Sequence, residues 1–281
     1  MRELPVTDVQ AAVRGLFLQI NRRVSPDIEA AMRRALERET SPAARYVLTQ
    51  LTDNYAAAAE TGLPLCQDTG MAVCFLTVGQ DVHFTGGSLT QAVEQGVRDA
   101  YIEGCFRKSI VSDPLFDRVN TGDNTPAVIH LSLVPGESVR ILAMAKGFGS
   151  ENMSRVFMLP PAAGEEGVLD AVVTAVREAG PNHCPPVIVG VGIGGDFETA
   201  PLMAKRATAR PIGVHHPDAR YAALEEKALE RINRSMIGAA GIGGLTTALW
   251  VSAEYAPTHI AGMPVAVCIC CHASRHAEAE I

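Results

Sequence analysis

Apolar residues recur at helical spacing through the first sixty positions and in strand-like runs afterwards. Over Val6 to Val24, the residues Val9, Ala12, Val13, Leu16 and Ile20 share one helix face, with Thr7 placed as a cap. A second helix is predicted from Pro26 to Glu39, where Pro26 follows Ser25 at a first turn that has no use for its missing N–H. The third follows Ser41-Pro42, carries Ala44, Val47, Leu48, Leu51 and Tyr55 on one stripe, and ends near Gly62. Residues 1–62 thus read as a helical layer. Met71 to Val78 is a continuous apolar run, the pattern of a buried strand. Gly86-Gly87-Ser88 then breaks the chain and opens a helix with Leu89, Ala92, Val93, Val97, Ala100 and Tyr101 on one face and Arg107 and Lys108 at its end.

Asn120 to Pro126 is a loop by composition. Two strand runs follow, Ala127 to Val134 and Val139 to Ala145, and Pro135-Gly136-Glu137 between them predicts a hairpin. Gly164 to Gly180 is helical, and Val187 to Gly195 is a buried strand whose interleaved glycines mark a close approach. Helices at about Glu198 to Thr208 and Asp218 to Met236 lead through the glycine-rich Gly238 to Gly244 into strands at Leu245 to Tyr255 and Met263 to Cys271.

With 281 residues, 47% hydrophobic and 20% charged, the chain has ordinary globular composition and length for one large domain or two small ones. A formal charge of -7 and the lack of a basic tract argue against a nucleic-acid surface, so any anion site must be local. No run approaches the length of a membrane span. Glu3, Asp8 and the lack of a long apolar stretch near the start do not fit a secretory signal, which makes the cytoplasm the expected location. Seven cysteines, an odd number, are then no disulfide framework, and metal, cluster or nucleophile roles are the functional options. Only Cys268 and Cys271 stand at Cys-x-x-Cys spacing, with no second such pair and no cysteine-rich run, so a zinc ribbon or compact cluster motif is absent and a cluster must gather cysteines distant in sequence. Cys74 and Cys105 read as buried free thiols.

Chemistry concentrates in Leu65-Cys66-Gln67-Asp68-Thr69-Gly70, a turn between helix and strand. It is either a site presenting a thiol, an amide and a carboxylate, or a plain loop in which Asp68 forms the turn. Arg107 is either a helix-end cation favoured by the dipole or a fork for a substrate carboxylate. Lys146-Gly147-Phe148-Gly149-Ser150-Glu151-Asn152 sets an ammonium and glycine amides where an anion can be received, without the spacing of a phosphate loop. Gly190-x-Gly192-x-x-Gly195 fits the letters of a dinucleotide fingerprint, but it lies within an apolar run and Asp196 and Glu198 would face the phosphate. Pro185 and Pro186 fix Cys184 at the mouth of a strand, and strand alternation sets Cys268 and Cys270 on one face and Cys271 on the other. His259 alone reads as a loop histidine, and Arg275 and His276 as solvated tail residues.

Five motifs, Cys66-Gln-Asp-Thr-Gly70, Lys146 to Asn152, Cys184-Pro-Pro186, Thr258-His-Ile-Ala-Gly262 and Cys271-His-Ala-Ser-Arg-His276, together resemble the iron-sulfur hydro-lyase family of class I fumarases and tartrate dehydratases, in that family's order. The resemblance implies a single α+β domain over residues 1–281, with helices packed on short mixed and antiparallel sheets. It implies a 4Fe-4S cluster held by Cys66, Cys184 and Cys271, with one iron open to substrate. Cys271 is chosen because it follows His259 by twelve residues, and Cys270 and Cys268 are the substitutes. By the same resemblance Gln67, Arg107, Lys146, Gly147 and Gly149 bind a small dicarboxylate, and Asp68 and His259 serve catalysis, Asp68 in proton transfer. Such a reaction needs a Lewis acid, cations for the dianion and a group that moves a proton on carbon. Hydration of fumarate to malate is the expected activity, from the form of the Lys146 and Cys271 motifs. L(+)-tartrate dehydration is the alternative, and a non-catalytic cluster-binding regulatory protein is the rival from another class. A metal-free mechanism with a Cys nucleophile and His259 has no supporting spacing. Single-chain family members continue into a swivelling domain that adds further cations and a threonine. This chain resembles the α subunit of the two-chain form, so a β subunit is the expected partner, in a dimer of αβ units.

Overall fold

A computed structural model describes residues 1–281. The chain opens with β1 (Arg2–Pro5), α1 (Val6–Arg22), α2 (Pro26–Arg38), α3 (Pro42–Thr61), β2 (Met71–Gly79), β3 (Val82–Thr85) and α4 (Leu89–Glu103). There follow β4 (Val128–Val134), β5 (Val139–Lys146), the one-turn α5 (Phe148–Glu151), β6 (Arg155–Leu159), α6 (Gly164–Ala179) and β7 (Val187–Gly194). The last elements are α7 (Thr199–Ala207), α8 (Ala219–Asn233), β8 (Ala248–Ala256), β9 (Met263–Cys270) and β10 (His276–Glu280). The class is α+β, with two mixed four-stranded sheets and one parallel pair of short strands. No helix is long and apolar enough to cross a membrane.

The elements fold into two compact units, interleaved in sequence. Unit one comprises Met1–Ser25, Asn54–Phe148 and Arg275–Ile281. Its main sheet has the order β10-β5-β2-β4, and β1 pairs with β3 beside it. Helices α1 and α4 bury Val9, Val13, Phe17, Val93, Val97 and Tyr101 against Cys74, Leu76, Ile141 and Ala143 of the sheet. Each such large apolar side chain, fully buried, contributes about 1.5–3 kcal/mol. Gly96 permits the close approach of the two helices, since a Cβ there would stand 2.6 Å from the Gln10 carbonyl.

The hairpin predicted at Pro135-Gly136-Glu137 does not form. Strand β2 lies between β4 and β5, parallel to the first and antiparallel to the second. The reason is burial: β2 is covered along almost its whole length and needs a partner on both edges, whereas β4 is exposed from Leu131 to Val134 and takes the sheet edge. The 135–137 turn instead closes over the end of β2, where Gly79 donates to Ser138 at 2.8 Å and Asp81 to Gly136 at 3.0 Å. The C-terminal tail is also not solvated. His276 begins β10, paired with Met144 of β5, and Ala277, Ala279 and Ile281 lie against the core.

Unit two comprises Pro26–Asp53 and Gly149–Ser274, around a sheet of order β6-β9-β7-β8. Val187, Val189, Val191 and Ile193 of β7 face α6 and α8. The opposite face receives α7, and there the glycines of the apparent dinucleotide fingerprint find their explanation. A Cβ on Gly190 would stand 2.0 Å from the Ala204 carbonyl, and one on Gly192 2.0 Å from that of Ala200. They admit a helix backbone. The first 62 residues are helical after β1, with α1 in unit one, α2 in unit two, and the division between the units falling within α3, after Asp53.

Candidate active site

The turn that follows α3 is fixed at both ends before its polar residues begin. Leu65 is buried, donates its N–H to the Asn21 carbonyl at 2.8 Å, and accepts the Asn54 amide at 2.9 Å. Cys66 and Gln67 then face solvent. The Asp68 N–H points at Cys66 Sγ at 3.4 Å. Both carboxylate oxygens of Asp68 accept backbone amides, Oδ1 from Gly70 at 3.0 Å and Oδ2 from Phe148 at 2.8 Å. Gly70 is held to glycine by its φ of +76° and by the β5 backbone, which a Cβ would meet at 2.7 Å.

The carbonyls of this turn are held from beneath by side chains. The Tyr101 hydroxyl donates to the Thr69 carbonyl at 2.6 Å and the Gly70 carbonyl at 3.2 Å. Burial pushes the Tyr101 phenol up to about 12, so it remains a donor at any working pH. Asn124, fully buried and at φ +64°, donates to the Gly70 carbonyl at 3.1 Å and accepts the Ser109 N–H at 2.7 Å. Arg275 donates through Nη1 to the Asp68 carbonyl and is 4% exposed, so the expectation of a solvated tail residue was wrong for it as well.

Arg107 is brought to the turn, though not as a helix-end cation. Helix α4 stops at Glu103, capped by Gly104, and Cys105 at φ +51° turns the chain away. The Arg107 carbonyl accepts the Thr69 hydroxyl at 2.6 Å while its side chain is exposed. Cys105 is exposed rather than buried, because it lies beyond the helix. Lys146 closes β5 and is 3% exposed, its ammonium donating to the Gly147 carbonyl at 3.3 Å, so it is not offered to an open loop. A Cβ on Gly147 would stand 3.1 Å from Asp68 Oδ2 and 3.2 Å from Arg275 Nη2. Unit one thus gathers Cys66, Gln67, Asp68, the Arg107 segment, Lys146 and Gly147.

In unit two, Cys184 follows a short 3-10 turn, Gly180–His183, and is exposed at φ +52°, a left-handed conformation that non-glycine residues adopt at some cost. Behind it His183 is buried and neutral, desolvation lowering its pKa to about 4. Cys271 lies one residue past β9 and is partly exposed, whereas Cys270 and Cys268 are buried, Cys268 among Ala200, Ala204 and Ala266. Because Ile188 pairs with Cys270 in the antiparallel register, the start of β7 and the end of β9 share one end of the sheet. Cys184 and Cys271 are therefore at that same end. Gly149 is there too, with a Cβ position 3.8 Å from the Asn182 carbonyl, and Ser154 accepts the Ile269 N–H at 3.2 Å. His259 is not brought to them. It sits in the exposed loop before β9, its Nδ1 accepting the Ala261 N–H at 3.2 Å, and neighbouring Thr258 donates to Gly195 just past the end of β7. Eight strand residues separate it from the cysteines, about 25 Å.

No group of three His, Cys, Asp or Glu side chains already stands within reach of one metal ion. The donor chemistry nevertheless fits an iron-sulfur cluster: Cys66 and Cys184 are exposed thiols on turns, Cys271 is partly so, and thiolates are the ligands such clusters take. The N–H of Asp68 aimed at Cys66 Sγ would stabilise a thiolate there. Cys74, by contrast, is excluded by burial, which pushes its thiol up to about 12. Arg275, Tyr101 and Asn124 escaped the sequence reading, since none lies in the turn's own motif.

The family model described as fumarate hydratase (Fumerase) matches residues 10–280. A protein of Methanocaldococcus jannaschii named "Putative L(+)-tartrate dehydratase subunit alpha" is 37% identical over 270 residues, 95% of each chain. The L(+)-tartrate dehydratase subunit alpha of Escherichia coli strain K12 is 32% identical over 278 residues, 98% of this chain and 91% of that one. With near-complete coverage on both sides, the chain belongs to the fumarate hydratase (Fumerase) family, as a class I hydro-lyase of the α-subunit type.

Proposed function

We propose that this chain is the α subunit of a 4Fe-4S-dependent hydro-lyase that reversibly hydrates a small dicarboxylate, fumarate to malate, with Cys66, Cys184 and Cys271 as the cluster ligands. The observation that carries the reading is the turn at Cys66, where an exposed thiol and a carboxylate two residues apart are held by side chains from beneath. A cluster bound there supplies a Lewis-acidic iron for substrate oxygen. The chain's own residues do the remainder. The Asp68 carboxylate, oriented by the Gly70 and Phe148 amides, moves the proton on carbon. Gln67 and the Gly147 and Gly149 amides orient the substrate, and the exposed Arg107 guanidinium holds a carboxylate in a fork. Lys146, being buried, adds positive field rather than a direct contact. The β subunit supplies the further cations a dianion needs. L(+)-tartrate is the second reading, favoured by the names of relatives that match over nearly their whole length.

His259 enters this proposal through a second copy, in the expected dimer of αβ units, because within one chain it lies at the far end of β7 and β9 from Cys184 and Cys271. Mixing His259→Asn and Asp68→Asn complexes, each nearly inactive, should restore about a quarter of the wild-type rate, since half of the dimers are hybrids with one intact site in two. No recovery on mixing, with subunit exchange verified, removes the second copy from the site.

The main test is to pair the chain with its β subunit, reconstitute the cluster without oxygen, and compare kcat/KM for fumarate and for L(+)-tartrate. Turnover of one of them by the complex and none by the chain alone is expected. Replacing Cys66, Cys184 or Cys271 by Ser should remove the broad thiolate-to-iron absorption. If Cys271→Ser keeps it and Cys270→Ser loses it, the third ligand is misassigned.

A further inference from the structure

We propose that Arg275 is a positioning residue of this site: its buried guanidinium holds the Asp68 carbonyl, and so fixes the turn that presents Cys66, Gln67 and Asp68, without touching substrate. The inference rests on the role given to Asp68 above.

Arg275 precedes β10, and its own carbonyl accepts the Ala145 N–H of β5 at 3.0 Å, so its backbone is anchored next to Lys146 and Gly147. From there Nη1 reaches the Asp68 carbonyl and, at 3.4 Å, the Asn21 side-chain oxygen. Nη2 lies against Gly147, on the side where Asp68 Oδ2 also lies. Nε is buried with no hydrogen-bond partner. Burying a guanidinium with one N–H unsatisfied is unfavourable, and an apolar side chain of similar volume would serve stability as well or better. Stability alone therefore does not account for an arginine at this position.

What the arginine provides is a third hold on the turn. The carbonyls of Asp68, Thr69 and Gly70 accept, in order, from Arg275, from Tyr101, and from Tyr101 and Asn124. With the carbonyls of residues 68 to 70 tied on the buried side, the chain just before them leaves Cys66 and Gln67 to the exposed side. Removing the hold at Asp68 frees the residue whose carboxylate must meet the substrate. A displacement on the order of 1 Å in a reacting group is enough to cost about 100-fold in rate.

The test compares Arg275→Met and Arg275→Lys with wild type in the reconstituted αβ complex. The expected result for the Met variant is a kcat about 100-fold lower with KM within about threefold, and for the Lys variant a kcat between the two, since an ammonium can still reach one carbonyl. In parallel, amide hydrogen exchange over residues 65–71 of the complex should quicken about tenfold in Arg275→Met, with helices α1 and α4 unchanged. A kcat within twofold of wild type, or exchange that quickens equally throughout unit one, overturns the proposal. If the Met variant does not fold, the Lys variant decides by the same two measurements. If the wild-type complex turns over neither diacid, the functional reading fails, and the exchange result still decides whether Arg275 holds the turn.

Discussion

Replacing Asp68 by Asn is nearly isosteric, yet the geometry of the turn makes it more than a removal of charge. Both oxygens of the carboxylate accept backbone amides, from Gly70 at 3.0 Å and from Phe148 at 2.8 Å. An amide side chain keeps one acceptor oxygen and turns its NH2 toward the other N–H, so one backbone donor loses its partner. A hydrogen bond to a charged group is worth ~1.5–3 kcal/mol, and about 2 kcal/mol at this chain length lowers the melting temperature by roughly 4–8 °C. If Asp68 also moves the proton, turnover per cluster falls by ~100-fold or more. The matched control is Asn124→Ala, which removes holds at Gly70 and Ser109 and loosens the same turn but leaves the carboxylate in place. Melting temperature and iron-normalised turnover should be measured for both variants in the αβ complex. Asp68→Asn should fall far below the rate that its stability loss alone would give, as set by Asn124→Ala. If both variants lie on one line of rate against stability, or if Asp68→Asn keeps turnover within threefold of wild type, Asp68 is a structural acceptor only.

Gly190→Ala should destabilise unit two by about 3 kcal/mol, since its Cβ would meet the Ala204 carbonyl at 2.0 Å and α7 must move; a melting temperature within 2 °C or so of wild type would refute this. In acid, the relevant group is Asp123. Burial raises its pKa, but hydrogen bonds from Thr125 and Arg98 more than offset this and leave it at about 2, below its ordinary 3.8. A depressed carboxyl stabilises the fold fully above about pH 4 and progressively less as the pH falls toward 2. The advantage of wild type over Asp123→Asn in urea unfolding should therefore shrink by about 1–2 kcal/mol between pH 5 and pH 2.5, and parallel stability curves would refute the assignment. Alkylation of the cluster-free chain should modify Cys66, Cys105 and Cys184 first and Cys271 more slowly, with Cys74, Cys268 and Cys270 reacting only on unfolding; early labelling of Cys268 or Cys270 contradicts the packing around α7.

The long elements were legible because their burial repeats on one face. Val9, Val13, Leu16 and Ile20 in α1, and Val93, Val97, Ala100 and Tyr101 in α4, are the residues that meet the sheet. Short and weakly apolar strands were not legible. β10 alternates Ala with Glu, a true period of two, but alanine buries too little to separate it from a charged tail. The pairing error at β4 and β5 has a different cause. A turn such as Pro135-Gly136-Glu137 is local, whereas the choice of neighbour is made by β2, whose two covered edges outcompete the hairpin. The glycines of β7 correctly signalled a close approach, and the approaching body is the backbone of α7.

The candidate site divides along the same line. Its reactive groups, a thiol, an amide, a carboxylate and a hydroxyl, are consecutive residues, so their chemistry can be read from one stretch of sequence. The groups that hold them come from elsewhere. Tyr101 reaches Thr69 from 32 residues away, Asn124 reaches Gly70 from 54, and Arg275 reaches Asp68 from 207. Each had a bland local description: a tyrosine on the buried stripe of a helix, an asparagine in a polar loop, an arginine in a tail. Hydrogen-bond donors that act on backbone carbonyls leave no pattern around the residue they serve, because a carbonyl is present at every position. The left-handed φ of Asn124 is consistent with a residue chosen for its place, since asparagine tolerates that conformation better than most. A turn of this kind can therefore keep its motif intact and still lose its geometry through a change more than two hundred residues distant. For that reason the variants at Arg275 and Asn124 test the site as directly as any within the motif itself.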